Sequence, residues 1–151
     1  LRESQRLACR RVPNTDMAVI IDCGEAEDIH PKDKRSVGFR LAAASLHNDY
    51  GCEEIVPSGP LPREISMENG SIRIRFDYAD GLCFHGEPRG FYLAGNDESF
   101  LPADSVIIDG PSVVVRSARV KFPMRVRYSW ADNPNGNLFN GAGLPASPFE
   151  G

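Results

Sequence analysis

The chain has 151 residues, 41% of them hydrophobic and 25% charged, with a formal net charge of −4. This is the make-up of an ordinary soluble globular chain, one domain or a small domain plus part of another. No segment gathers a basic stripe, which argues against a nucleic-acid partner, and no apolar run approaches the length of a membrane span.

The first residues, Leu1-Arg2-Glu3-Ser4-Gln5, form neither a signal peptide nor a start methionine. A processed or truncated chain is expected, and its compartment is not encoded here. Residues 1–11 predict a helix, with Leu1, Ser4, Leu7, Ala8 and Arg11 at helical spacing and Pro13 ending it. Asn14-Thr15-Asp16 is a turn. Met17 to Ile21 are five uninterrupted apolar residues, the pattern of a strand buried on both faces inside a parallel sheet.

The run stops at Asp22-Cys23-Gly24, and an acidic loop leads to His30-Pro31. In open α/β sheets, ligands sit beyond the carboxyl ends of the strands. His30 lies a few residues past such an end, with Glu25, Glu27 and Asp28 beside it in sequence. An acceptor nitrogen with an orienting carboxylate is what a general base needs. The plainer alternative is a surface or capping histidine. Cys23 is a possible nucleophile for His30, but a small thiol after a buried strand is more often a packing residue. Asp22, Asp28 and His30 would also supply three ligands to a divalent ion, although no second histidine is near: His47 falls at the far end of the next helix and His85 beyond the change in pattern described below.

Asp33 caps a helix expected from about Lys34 to Tyr50, with Gly51 as its left-handed stop. Its apolar stripe is read as Val37, Leu41 and Ala44 with Ser45, and Ala42 and Leu46 one turn around. Gly38 and Ala42 to Ala44 suggest close packing on a sheet. His47, near the last turn, favours the helix dipole and is read as structural. The cysteines Cys9, Cys23, Cys52 and Cys83 form no C-x-x-C pair, so free thiols are expected rather than a zinc site.

Near residue 53 the pattern changes. Pro57, Gly59, Pro60 and Pro62 mark a linker or lead-in loop. Short strand patterns follow at 71–78, 81–84, 91–94, 105–108, 113–115 and 124–130. Asn69-Gly70 and Asp109-Gly110 serve as turns. Short alternating strands at this spacing predict an antiparallel β-sandwich. Residues 133–151 carry Leu138, Phe139, Leu144 and Phe149 with a single charge, Glu150. That composition predicts an ordered extended segment packed on something, with the α/β part as one candidate. The fold class expected is therefore α+β overall.

Two groups of strings resemble the C-terminal portion of sialate O-acetylesterases. The first is Val19-Ile20-Ile21-Asp22, Asp28-Ile29-His30-Pro31-Lys32-Asp33-Lys34 and Val37-Gly38-x-Arg40-Leu41-Ala42. The second is Val126-Arg127-Tyr128-Ser129-Trp130 and Asn137-Leu138-Phe139-Asn140-x-x-Gly143-Leu144-Pro145-Ala146-Ser147-Pro148-Phe149. The resemblance implies an SGNH (GDSL-type) hydrolase. Residues 1–52 would be the last helix-strand-loop-helix of its flavodoxin-like α/β domain, and residues 53–151 a C-terminal β-sandwich domain.

The chemistry implied is serine ester hydrolysis of O-acetylated sugars, sialic acid above all and acetylated xylan in some relatives, with no cofactor. His30 would be the catalytic base. The family places an aspartate three residues before that histidine. Here Glu27 stands there and Asp28 two before; either can orient the ring, and Asp28 matches the Asp-Ile-His string. No Gly-x-Ser block is present, and Ser36, Ser45 and Ser58 lack its context. The serine and oxyanion donors are therefore expected from an upstream part of the same enzyme, and this chain alone is expected to be inactive. A secreted, periplasmic or lysosomal setting follows from the resemblance only. An α/β unit with both faces uncovered is expected to dimerise, rearrange or lose order. A non-catalytic sugar-binding module using Tyr78, Phe84, Phe91, Tyr92 and Trp130 is the reading from a different class.

Overall fold

A computed structural model describes residues 1–97 and 99–151. Among the described residues two helices precede ten short strands, a mixed α+β chain. Helix α1 spans Arg2–Arg11 and α2 spans Lys34–Asn48. The strands are β1 Leu61–Glu68, β2 Ser71–Asp77, β3 Cys83–Phe84, β4 Phe91–Ala94, β5 Leu101–Pro102, β6 Ser105–Asp109, β7 Ser112–Arg116, β8 Arg125–Tyr128, β9 Leu138–Phe139 and β10 Phe149–Glu150.

All strand pairs among the described residues are antiparallel. One sheet runs β1-β2-β7-β6, a second β10-β8-β4-β5, and β3 pairs with β9. The alternation seen in the sequence is what builds the core. Ile72, Ile74 and Phe76 of β2 and Val113 and Val115 of β7 join Phe91 and Leu93 of β4, Val126 and Tyr128 of β8 and Phe149 of β10 in one buried cluster. Arg73, Arg75, Tyr92 and Arg127 alternate with them on the outer faces. Phe76 and Phe149 meet edge to face across the two sheets, with ring centres 5.9 Å apart.

Asn69 and Gly70 both have positive φ, 41° and 78°, and join β1 to β2. This is the backbone twist a two-residue hairpin requires. The segment 57–62 is not simply a linker. Strand β1 begins at Leu61 and includes Pro62, with the register shifting between Pro62 and Glu64. Proline is tolerated there because β1 is an edge strand and the irregularity spares the missing donor.

Residues 137–150 complete the core. Leu138, Ala146 and Phe149 are fully buried. The Asn140 side chain donates to the carbonyls of Ser58 and Tyr78, each at 3.0 Å, and accepts from the Leu144 N–H at 3.0 Å. Asn137 binds the carbonyls of His85 and Glu87 and the N–H of Arg89. These two buried amides pin the turn-rich segment to loops far away in sequence. Gly59 lets Leu144 and Pro145 lie directly on the 57–59 segment; a Cβ there would meet the Pro145 oxygen at 2.0 Å.

Both helices fall where the sequence places them, but their buried faces differ from the stripes read above. In α1 the buried residue is Arg6, paired with Glu3 at 2.5 Å, whereas Leu1, Ser4, Ala8 and Arg11 are exposed. The helix start is tied down by Arg2, which donates to the carbonyls of Ala131 and Asp132 at 2.7 and 2.8 Å. In α2 the buried residues are Ala43 and Ala44, whereas Leu41 and Leu46 face solvent. Gly38 has open space where a Cβ would project, so it makes no close approach to a sheet.

Met17–Ile21 is not a strand here. It pairs with no neighbour among the described residues. Met17, Ala18 and Val19 instead border a small cleft shared with Arg40, Pro57–Gly59, Leu144 and Pro145. A strand of a parallel sheet needs flanking strands to take its N–H and C=O groups, and the described residues supply none.

Candidate active site around His30

The His30 loop hangs between two fixed points on α2. At its far end Asp33 caps the helix, accepting from the Ser36 N–H at 2.9 Å and the Ser36 hydroxyl at 2.6 Å. Those bonds hold the Asp33 carboxyl below its usual range. At the near end Arg40 grips the residues before the loop. It donates to the Val19 carbonyl at 2.6 Å and to both Asp22 oxygens at 2.6 and 2.7 Å.

Between these points the loop closes on itself. Glu25 and Asp28 form an isolated antiparallel bridge. The Glu25 carboxylate accepts from the Lys32 N–H at 3.1 Å. Asp28 Oδ1 accepts the His30 N–H at 2.8 Å, an Asx-type turn. The same oxygen lies 3.7 Å from His30 Nδ1. That is longer than a hydrogen bond, yet the carboxylate is on the Nδ1 side of the ring. The His30 side chain is 81% exposed, so Nε2 is open to an incoming group and the ring is not walled off by packed side chains. Glu27 is exposed and has no such contact with the ring.

The other residues singled out from the sequence go elsewhere. Both oxygens of Asp22 are taken by Arg40, which removes it from a metal site with Asp28 and His30. Among the described residues no three His, Cys, Asp or Glu side chains gather in a metal-holding group. The Cys23 thiol donates weakly to the Ile20 carbonyl at 3.6 Å and lies 3.8 Å from Arg40. Burial pushes it up, against the pull of Arg40, so it is a thiol rather than a thiolate at neutral pH.

Ser36 is spent on the helix cap, and the Ser45 hydroxyl donates to Asp49 at 2.7 Å. No serine hydroxyl among the described residues is bonded to His30. All four cysteines are unpaired. His47 lies on α2, its Nδ1 buried without a partner. His85 stacks on Phe139 at 4.0 Å. A cavity of about 140 Å³ between α1, Thr15–Met17 and β1 is lined by Arg6, Cys9, Asp16 and Arg63 and takes nothing from the His30 loop.

Of the aromatics read as sugar platforms, Phe91 is buried and Phe84 packs against the core. Tyr78, Tyr92 and Trp130 are each about two-fifths exposed. Arg127 lies over the Phe100 ring at 3.8 Å and the Trp130 ring at 5.1 Å. No helix among the described residues is long and apolar enough to cross a membrane. The contact that sequence reasoning missed is Arg40 with Asp22, separated by 18 positions. A cation on the inner side of α2 and a carboxylate after an apolar run were its only signals.

No family model matches the chain. Over 73 residues it is 36% identical to the sialate O-acetylesterase of Mus musculus, covering 44% of this chain and 14% of that protein. Over 61 residues it is 36% identical to the sialate O-acetylesterase of Homo sapiens, covering 38% of this chain and 12% of that protein. A crystal structure described as a novel carbohydrate acetylesterase from Xanthomonas citri matches with a TM-score of 0.83 at 45% identity, over 89% of this chain and 32% of that one. The chain thus spans about a seventh of the mouse protein and about a third of the solved structure. The chain is thus similar to sialate O-acetylesterases over part of its length and to a carbohydrate acetylesterase over most of it.

Proposed function

We propose that this chain is part of a carbohydrate O-acetylesterase and that His30 is its catalytic base. The observation that carries the reading is the His30 ring, exposed on a loop braced at both ends, with the Asp28 carboxylate on its Nδ1 side. In this reading Nε2 takes the proton of a serine hydroxyl as the oxygen attacks the acetyl carbon. The imidazolium then returns that proton to the sugar oxygen as the C–O bond breaks, and water repeats the sequence to release acetate. Base catalysis of this kind is worth roughly 10²–10⁴-fold. Asp28 favours the tautomer with hydrogen on Nδ1. Glu27 is the weaker candidate for that role, having no contact with the ring.

The serine and the oxyanion donors come from polypeptide outside these 151 residues. Residues 1–52 form the closing unit of an SGNH-type α/β domain, and residues 53–151 a β-sandwich appended to it. The exposure of Ile29, Phe39, Leu46 and Tyr50 supports this, because Phe39 and Leu46 share one side of α2 and such bare apolar side chains need a covering layer. A second copy of the chain is the other way to cover it. Sialic acid O-acetyl esters are the substrate that the name of the sialate O-acetylesterases suggests, and acetylated xylan is the alternative.

The test uses p-nitrophenyl acetate and O-acetylated sugars. The 151-residue chain is expected to release no acetate above background. In the longer enzyme His30→Ala should lower kcat at least 10³-fold with the fold retained, and a rate near that of the parent would remove His30 from the chemistry.

A second reading, a sugar-binding module, is favoured by Tyr92 and Trp130, exposed on the outer side of the sheet that holds Arg127 between two rings. Glycan binding lost in Trp130→Ala, together with full activity of an enzyme lacking His30, would select it.

A further inference from the structure

Arg40 makes four contacts with a single stretch of chain. Nη1 reaches the Val19 carbonyl and Asp22 Oδ1, each at 2.6 Å, and lies 3.8 Å from Cys23 Sγ; Nη2 reaches Asp22 Oδ2 at 2.7 Å. The pair is largely out of solvent, with the Arg40 side chain 10% and the Asp22 side chain 22% exposed. A fork of this kind fixes direction as well as distance, because two parallel N–H donors meet two carboxylate oxygens in one plane.

Position matters as much as strength. Arg40 stands seven residues after the Asp33 cap, two turns on and about 10 Å along α2 at 1.5 Å per residue. Asp33 closes the loop at its exit, and Arg40 closes it at its start. The ten residues 23–32 therefore leave α2 at one turn and return to it at another. Inside that span the Glu25–Asp28 bridge and the Lys32–Glu25 and His30–Asp28 bonds consume much of the remaining freedom. The ring at the loop's tip is exposed and touches no packed side chain that could hold it. Its location depends on where the two ends of the loop are nailed.

We propose that Arg40 is a positioning residue for His30: by joining Val19 and Asp22 to α2 it sets the place from which the His30 loop starts, and hence the reach of the imidazole toward the serine. This rests on the reading of His30 as the base. Arg40 itself touches no substrate. Misplacing a reacting group by about 1 Å costs on the order of a hundredfold, and that is the scale on which Arg40 acts.

The test is made in the longer enzyme, with the isolated 151-residue chain as a second reporter. Arg40→Gln should lower kcat about tenfold to a hundredfold while KM stays within about twofold, since substrate binding is left in place. Arg40→Lys should recover only part, because an ammonium lacks the planar fork that meets both Asp22 oxygens side by side. Combined with His30→Ala, Arg40→Gln should add nothing to the loss, the signature of two residues acting through one group. In the 151-residue chain, amide exchange should rise in residues 23–32 and stay unchanged in β2 and β7.

A wild-type kcat for Arg40→Gln, alongside a dead His30→Ala, sinks the positioning role alone. A normal rate for His30→Ala sinks the base, and this role with it. Additive losses in the double variant overturn the coupling. If Arg40→Gln does not fold, Asp22→Asn keeps the side-chain volume and the bond to Val19, and an unchanged kcat in that variant overturns the proposal equally.

Discussion

Asp28 binds the backbone of the residue whose ring it faces: one oxygen accepts the His30 N–H at 2.8 Å and stands 3.7 Å from Nδ1 of the same residue. In the proposed mechanism the carboxylate does two jobs that substitution can separate. Asn keeps the turn, because its amide oxygen accepts the same N–H, but it removes the charge that favours an imidazolium. Asp28→Asn is expected to leave the folded chain intact and to lower kcat of the longer enzyme about tenfold or more, whereas Glu27→Gln stays within about twofold of the parent. Steady-state kinetics of the two variants side by side decides which carboxylate serves the ring, and the reverse order would hand the role to Glu27.

Glu150 links stability to acid. Burial pushes its carboxyl up, but the bonds from Arg127, at 2.8 Å, and from Arg125 outweigh that and hold it below its usual range. A carboxyl depressed in the folded state stabilises fully above the unfolded value, near 4.5, and loses that contribution as pH falls through the folded value. Asp33, held down by Ser36, acts in the same direction, but only below its own lower unfolded value near 3.8. The thermal midpoint of the parent is therefore expected to exceed that of Glu150→Gln at pH 6–7, and the gap to close progressively as pH drops below about 4.5. A gap that stays constant down to pH 3 would show that the Arg127 and Arg125 bonds are not the cause.

Asn140 is 3% exposed and satisfies two carbonyls and one N–H. Asn140→Ala strands all three at once, and the expected cost is about 2–4 kcal/mol in unfolding free energy. Urea titration should show a lower midpoint with an unchanged slope. Asn135→Ala, an exposed position in the same stretch, should stay within about 0.5 kcal/mol of the parent.

How far the sequence reaches is clearest in single elements. The start of α2 was legible from Asp33, because a cap is a local device; its end falls at Asn48 with Asp49 as the cap, two residues short of the positive-φ Gly51. Strand β4 was legible to the residue, and the β1–β2 turn was written in Asn69-Gly70. Strand β1 was hidden because Pro62 reads as a breaker until its edge position is known. The inner face of α2 was legible in part: the buried Ala43 and Ala44 fall in the Ala42–Ala44 run read as a packing patch, whereas Leu41 and Leu46, read into the apolar stripe, point outward. Around His30, Asp28 was visible two residues away. Arg40 was not, because its link to Asp22 exists only once α2 folds back on the segment before it.

The wedge formed by Leu138, Ala146 and Phe149 has a consequence for synthesis. Strands β2, β4, β7 and β8 leave the ribosome before the residues that fill the space between them, and the Gly151 N–H and C=O complete the pairing with Val126. Nascent chains halted short of residue 138 carry Ile72, Val113 and Val126 without their lid, so this half can close only after translation has passed Gly151. Until then its strands expose apolar side chains that the finished fold buries.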